Sequence, residues 1–513
     1  MIDPPTSQTE SALACDCEDS MRSACVGRSS EYASGKRFCV LHLPNVNKRE
    51  AFQKAFQSKI ENKDFNFQGA WFPDALSFSD SEFEWFMDFS SATFESEVDF
   101  SFASFNGGAD FTSAIFRTKV DFNSAAFSEM ADFTSATFNG EADFSSAAFS
   151  GKADFAKVAF GAEVDFGRAT FSEKAVFDKV SFGAKAKFAS ATFSAEADFR
   201  FSFFSAEADF DRATFSAKTD FRLATFSAEA VYRSIAFGGN ANFALAAFKA
   251  EADFRFTTFT SDVDFSHVTF GDYIKFEGKE KPLLASSLVL KFAKIEKPDR
   301  VSFHTLALRP NWFVNIDARR FAFTNVHWDW RKVSKEIQSV MIKGYASPHS
   351  LLAITCRQLG VNAEENNRYE EASKFRYMAM EATRLETWKG FAPWKLSWWY
   401  WLASGYGERS FQALIVLVGM LFMFGLLYHL VGFARWEPRV SSEADAFVAK
   451  RDEAGAPLPF NRTFTYSAAV MTLQRPEPRP ATTAAQAVVV LETILGPVQA
   501  ALLALAIRRK FMR

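Results

Sequence analysis

Phenylalanine recurs along the middle of the chain at steps that alternate five and six: Phe89, Phe94, Phe100, Phe105, Phe111, Phe116, Phe122, Phe127, Phe133, Phe138. The pattern runs over residues 67–276, and Tyr232 once takes the place of phenylalanine. Each eleven-residue unit reads like Ala131-Asp132-Phe133-Thr134-Ser135-Ala136-Thr137-Phe138 followed by the spacer Asn139-Gly140-Glu141. An eleven-residue period can mean a right-handed coiled coil. Residues five apart, however, lie about 140° apart on a helix and form no stripe. The local alternation Ala131, Asp132, Phe133 is instead that of a strand, small side chain inward, charged outward, large inward. Strands this short cannot stand alone, so each unit must stack on its neighbours.

These residues resemble the pentapeptide-repeat family, whose unit is small–polar–Leu/Phe–x–x. Phe111 and Phe116 match its central position, and Ala109 and Ala114 match the small position two before it. The resemblance implies a mainly β fold, a right-handed quadrilateral β-helix. The six-residue step departs from the strict five-residue unit and is expected to be a bulge or widened corner, giving a coil near 22 residues. Two units per coil place Asp110, Asp132 and Asp154 in one outward column, and Asp99, Asp121, Asp143 and Asp165 in the opposite one. Coils spaced at the strand-to-strand distance make nine or ten turns a rod ~45 Å long, with phenylalanine rings in ladders inside. Some members of the family resemble DNA in shape and charge and inhibit topoisomerases. The Asp columns invite that reading, but Lys152, Lys185, Lys187 and Lys218 interrupt them, and a solvated outer face explains them as well.

Over residues 283–330 the period loosens while strand chemistry continues, as in Val301-Ser302-Phe303-His304-Thr305-Leu306. Degenerate coils are expected to cap the rod here, with His304 and His327 as packing residues. From Lys332 the pattern turns helical. Residues 350–360 and 363–388 lack proline, and Tyr369, Ala372, Phe375, Ala379 and Ala382 recur at three to four residues. Residues 359–372 resemble one helical hairpin of the tetratricopeptide type, which implies a bridge or dimer surface rather than a peptide-binding array.

Residues 411–433 contain no Asp, Glu, Lys or Arg, a length that spans a bilayer core, and Trp398, Trp399, Tyr400 and Trp401 precede them like an interfacial belt. Residues 484–507 form a second apolar stretch with one charge, Glu492, and end in Arg508-Arg509-Lys510. Under the positive-inside rule these cations are a cytoplasmic anchor, so two spans put both termini and the rod in the cytoplasm. The intervening loop carries Arg439, Lys450, Arg451, Arg462, Arg475 and Arg479, which weaken that asymmetry. Between the spans, residues 460–473 read as a short re-entrant helix.

This order resembles the two-transmembrane pore domain of bacterial potassium-type channels. Residues 464–472 stand where that family has its pore helix, and residues 490–496 resemble its inner helix with Gly496 at the hinge. The resemblance implies a homo-oligomer, a tetramer if it is channel-like, with Thr472, Gln474, Arg475, Glu492 and Gly496 as pore-lining candidates. A potassium filter needs glycines that let consecutive carbonyls face the axis. Here Thr472 is followed by Leu473-Gln474-Arg475-Pro476-Glu477-Pro478-Arg479-Pro480, without glycine, and Arg475 repels cations. The expectation is a degenerate pore that anchors an oligomer, or a pore of other selectivity. Glu492, deep in a span, either faces a water cavity or makes a structural contact with Thr493 or with a pore-helix hydroxyl of a neighbouring subunit. Gly496-Pro497 marks a kink.

Five cysteines, four of them early (Cys15, Cys17, Cys25, Cys39), make a poor disulfide framework. No apolar run suggests a secretory signal at the N-terminus, so a reducing cytoplasm is expected. Phe38-Cys39-Val40-Leu41-His42 resembles the Tyr-Cys-Ile-Phe-His element of a zinc-knuckle-like segment found at the start of some pentapeptide-repeat proteins. The resemblance implies zinc held by Cys17, Cys25, Cys39 and His42, with Cys15 as the alternate, since zinc takes four N/S ligands. Free thiols in a tail are the other reading. With 62 phenylalanines of 513 residues the chain reuses one structural slot, and a net charge of −3 points to no nucleic-acid partner. No nucleophile elbow, phosphate loop or His-Glu metal motif appears, so no enzyme is expected. The domains expected are 1–62, 63–330, 331–400 and 401–513. Together they predict a β-helix, a short helical hairpin region and a two-helix transmembrane domain, with the lipid bilayer and a protein on the β-helix surface as partners.

Overall fold

A computed structural model describes residues 15–26, 31–33, 36–278, 288–329, 347–386, 392–433 and 456–511. The chain divides into two compact units, Met1–Glu336 and Ile337–Arg513. The loop cations Arg439, Lys450 and Arg451, and the helical pattern expected over residues 332–346, lie outside the described residues.

The first unit is a four-sided parallel β-solenoid of about eleven turns. Its strands, mostly two residues long, stack into columns of 10, 11, 12 and 9. Ala109 pairs with Ala131 and Phe116 with Phe138, so one coil is 22 residues, two of the units read from the sequence. Ala109 and Phe111 are buried and Asp110 between them is half-buried, as the alternation requires. Rings stack along each column at the coil spacing, Phe116 on Phe138 at 4.7 Å and 6°. Neighbouring ladders meet edge to face, Phe122 against Phe133 at 5.6 Å and 86°. Parallel stacking is imposed by the coil repeat, and the perpendicular contacts between ladders supply the geometry aromatic rings prefer.

The five- and six-residue steps are two kinds of corner. In the five-residue step the Ala114 N–H donates to Phe111 O at 2.9 Å, and Ser113 between them has φ +57°. This is a type II turn, and it recurs every eleven residues. In the six-residue step three residues, such as Arg117, Thr118 and Lys119, separate the strands, against the four, Phe111 to Ala114, of the five-residue step.

At the N-terminal end, helix α1 (Arg49–Glu61) covers the first coil. Phe56 packs on Phe67 at 5.2 Å and Phe52 on Phe72 at 5.3 Å, so the terminal rings are shielded from water. Each such ring buried contributes about 1.5–3 kcal/mol. Irregular coils follow the regular ones at the other end. Val301–His304 pairs with Ile274–Glu277, and Ala322–Thr324 pairs with Val301–His304. Trp312, Phe313 and Trp328 fill this end. His304 and His327 are exposed rather than packed, because the alternation of their strands turns the neighbours Phe303 and Trp328 inward instead.

The second unit is helical. Helices α2 (Pro348–Glu365) and α3 (Tyr369–Leu385) form a hairpin that buries Cys356, Leu359 and Ala363 with Ala372, Phe375 and Ala379. Ser347 caps α2 by accepting the His349 N–H, with Pro348 in the first turn. The first helix runs on through residues 361 and 362 to Glu365, and the buried Asn362 side chain accepts a hydrogen bond from Arg368, at the turn between the helices, at 2.5 Å. Helices α4 (Leu396–Ser404), α5 (Ser410–Leu430), α6 (Phe460–Met471) and α7 (Thr483–Phe511) follow. Pro497 lies inside α7. Phe424, Tyr428, Phe433, Leu458, Tyr466, Val470 and Ala485 make a common core among α5, α6 and α7.

Candidate metal centre and apolar helices

Cys39 leaves a short hairpin of Glu31–Ala33 with Lys36–Phe38 and opens a tight turn in which the His42 N–H donates to Cys39 O at 3.1 Å. The turn brings His42 Nδ1 to 3.0 Å from Cys39 Sγ, 3.5 Å from Cys25 Sγ and 3.8 Å from Cys15 Sγ. Cys15, Cys25, Cys39 and His42 offer four ligand atoms within 4.8 Å of one another, a cluster that can hold a metal ion. Cys15, the alternate to Cys17 in the sequence reading, is the one that joins the cluster. Both flank Asp16, whose N–H donates to Arg37 O at 2.7 Å. Cys15 accepts the Cys39 N–H at 3.2 Å, while Cys17 Sγ lies one place further out, 3.5 Å from Cys25 Sγ. Spacing along the chain cannot distinguish the two; the pairing with the hairpin does.

Burial works against a Cys39 thiolate, but the His42 imidazole beside it outweighs burial and draws the thiol down to about 6. Burial likewise disfavours the imidazolium, and Cys39 outweighs it, raising His42. Burial pushes Cys17 up to about 11 and raises Cys25.

The rod's outer face is not a bare acidic column. Asp110 Oδ1 accepts the Thr112 N–H at 2.7 Å, and Asp121, Asp132 and Asp143 each accept the N–H two residues on. The carboxylates thus build the turns. Cations neutralise several of them: Arg200 grips Asp198, Arg222 Asp220 and Arg255 Asp253, each at 2.7 Å. One corner column is apolar instead. At the left-handed turn position, Phe201, Leu223 and Leu245 follow one another on successive coils, at φ +57°, +61° and +62°. They are 48%, 41% and 53% exposed. His267 continues the column and stacks on Phe292 at 5.0 Å. Earlier coils place Ser113, Ser135, Lys157 and Lys179 there. The sequence shows this ridge only once the turn position is known.

In the helical unit, α5 and α7 are both long and apolar enough to cross a membrane, and only 22% and 17% of their most apolar windows are buried. Phe411 and Ile494 are 74% and 58% exposed. Glu492 on α7 is fully buried, and it accepts hydrogen bonds from Tyr428 Oη on α5 and Ser467 Oγ on α6. One carboxylate therefore ties three helices of a single chain. Four residues further on, a Cβ at Gly496 would lie 2.9 Å from Met471 Cγ, so glycine lets α6 approach α7. Thr472 turns its hydroxyl back to Ala468 O and Ala469 O at 3.0 Å each, and Gln474 and Arg475 beyond it are exposed. Gln499 donates to Ala403 O and Ala413 O at 2.8 and 2.9 Å, joining α7 to α4 and α5. Tyr428 and Gln499 were missed by sequence reasoning, since 64 and 86 residues separate them from the partners they reach on α7 and α5.

The family model for pentapeptide repeats, nine copies of the unit, matches residues 122–170 and again 133–181. The matches lie in the middle of the solenoid, offset by one eleven-residue period, so residues 122–181 are similar to pentapeptide repeats. Comparison with curated proteins and with solved structures finds no match.

Proposed function

We propose that the protein is a membrane-anchored scaffold, a pentapeptide-repeat rod displayed in the cytoplasm by a two-span, oligomeric membrane domain. The observation that carries the reading is the outward apolar surface of α5 and α7. A water-soluble fold would bury helices of this composition, whereas Phe411, Phe422, Ile494 and Val498 face outward. Trp398, Trp399 and Trp401 on α4, just before α5, suit an interfacial belt. Arg508, Arg509 and Lys510 at the end of α7 favour the cytoplasmic side for both termini.

The ridge of Phe201, Leu223 and Leu245 supports the scaffold role. Large side chains at left-handed turn positions are strained and exposed at once, a combination that packing of the rod does not require. We take this ridge as the face that meets a protein partner through apolar side chains. A photo-crosslinking residue at Leu223 in the full-length protein is expected to give a protein adduct in cells, while the same residue at Ser113, a polar point of the same column, gives none. Equal adducts at both positions, or none at either, would remove the scaffold role from the ridge.

A second reading is an ion channel of the two-transmembrane type with the rod as regulatory domain. The short helix α6 seated between two apolar helices favours it. The buried, doubly hydrogen-bonded Glu492 favours an anchor instead.

A further inference from the structure

We infer that Cys15, Cys25, Cys39 and His42 bind one zinc ion, and that this ion fastens the N-terminal segment to the first coil of the rod. Zinc bound at about 2.3 Å to sulfur and about 2.0–2.1 Å to nitrogen in a tetrahedron sets ligand atoms about 3.5–3.8 Å apart. Separations of 3.0, 3.5 and 3.8 Å from His42 Nδ1 to the three sulfurs lie around that figure, with Cys39 Sγ to move outward slightly as the ion enters.

The surroundings of the cluster fit a metal site. His42 Nε2 is 2.9 Å from Gln68 O, a carbonyl that only accepts, so Nε2 carries a proton and donates. Nδ1 is left as the nitrogen that can give its lone pair to an ion, and it is the one that faces the sulfurs. A ring held at its far nitrogen by a backbone carbonyl is the usual support of a ligating histidine. The Cys39 N–H donates to Cys15 Sγ, a hydrogen bond that favours sulfur as the anion. Zinc binding displaces the thiol protons and any proton on Nδ1 to solvent.

Gln68 belongs to the first coil, and this makes the site a clasp. The segment meets that coil at several further points. Trp71 N–H donates to Leu41 O at 2.9 Å, and Asn66 Nδ2 donates to Ser23 Oγ at 3.2 Å. Gly69, at φ +67°, stands at the turn position where later coils carry side chains; a Cβ there would lie 2.3 Å from Met21 Sδ. The segment is short and has little core of its own, the situation in which a metal supplies the order that packing does not. The inference stands apart from the membrane reading.

The test is metal analysis of the full-length protein, purified in detergent with reductant and without chelator, alongside Cys15→Ala, Cys17→Ala and His42→Cys. One zinc per chain is expected in the wild type, in Cys17→Ala and in His42→Cys, which keeps a four-ligand set. Cys15→Ala should lose the ion. Cobalt in place of zinc should give the absorption of a tetrahedral thiolate site in the wild type. Hydrogen exchange at Gly69, Ala70 and Trp71 should quicken when zinc is removed. A wild type without zinc would overturn the site. Loss of zinc in Cys17→Ala as complete as in Cys15→Ala would overturn the ligand set, and unchanged exchange on chelation would overturn the clasp.

Discussion

Tyr232 stands in a ladder of phenylalanines, stacked between Phe210 at 5.1 Å and Phe254 at 4.9 Å, and its buried hydroxyl has no hydrogen-bond partner. An unmade hydrogen bond of this kind costs about 1–3 kcal/mol. Tyr232→Phe removes the hydroxyl and leaves the ring, so a rise in stability of about 1–2 kcal/mol is expected, read as a higher urea midpoint for rod unfolding. An unchanged or lower midpoint would mean that the hydroxyl is satisfied. The substitution was visible in the sequence as a break in the pattern, but its cost depends on burial. The turn position shows the opposite case. Ser113, Arg168, Lys179 and Leu223 share a left-handed backbone but no side-chain chemistry, so no residue signature marks it. Asp110 and its successors read as solvated charges because strand alternation points them outward, yet each also closes a turn through the N–H two residues on.

At the scale of elements, the eleven-residue period was enough to give the strands, their inward and outward faces and the 22-residue coil. Every coil repeats the same chemistry, so the pattern averages out local noise. The helices were legible by periodicity, but their contacts were not. The sequence reading gave Glu492 either a water cavity or a contact with Thr493 or with a pore-helix hydroxyl of a neighbouring subunit; within one chain it meets Ser467 on α6 and, from 64 residues away, Tyr428 on α5. Carboxylate and hydroxyls there satisfy one another. Glu492→Ala leaves both hydroxyls without an acceptor, a loss of about 1–3 kcal/mol per group, and a lower thermal midpoint in detergent is expected. Glu492→Gln keeps an acceptor oxygen and should fall less. In liposomes the wild type and Glu492→Gln should both be silent in ion flux. A wild-type flux that Glu492→Gln alters would place this residue on an ion path and favour the channel reading.

For the whole molecule, two units of different chemistry lie in one chain. One is a β-solenoid whose aromatic interior is closed by α1 at one end and by Trp312, Phe313 and Trp328 at the other. The other is a helical unit whose longest helices turn apolar side chains outward. The class of each was readable from composition and period. The Cys/His cluster was legible but for the choice between Cys15 and Cys17, which the fold makes by bringing Cys15 to the other three; the apolar ridge was not legible, because only the folded coils bring its residues together. The most direct measurement is labelling of the full-length protein in liposomes with a carbene photoprobe dissolved in the lipid, mapped by mass spectrometry. Label is expected on α5 and α7, at Phe411, Phe422, Ile494 and Val498, with residues 67–276 left clean. Helices α5 and α7 left as clean as the rod would contradict the membrane anchor and require that their apolar faces be covered by protein instead.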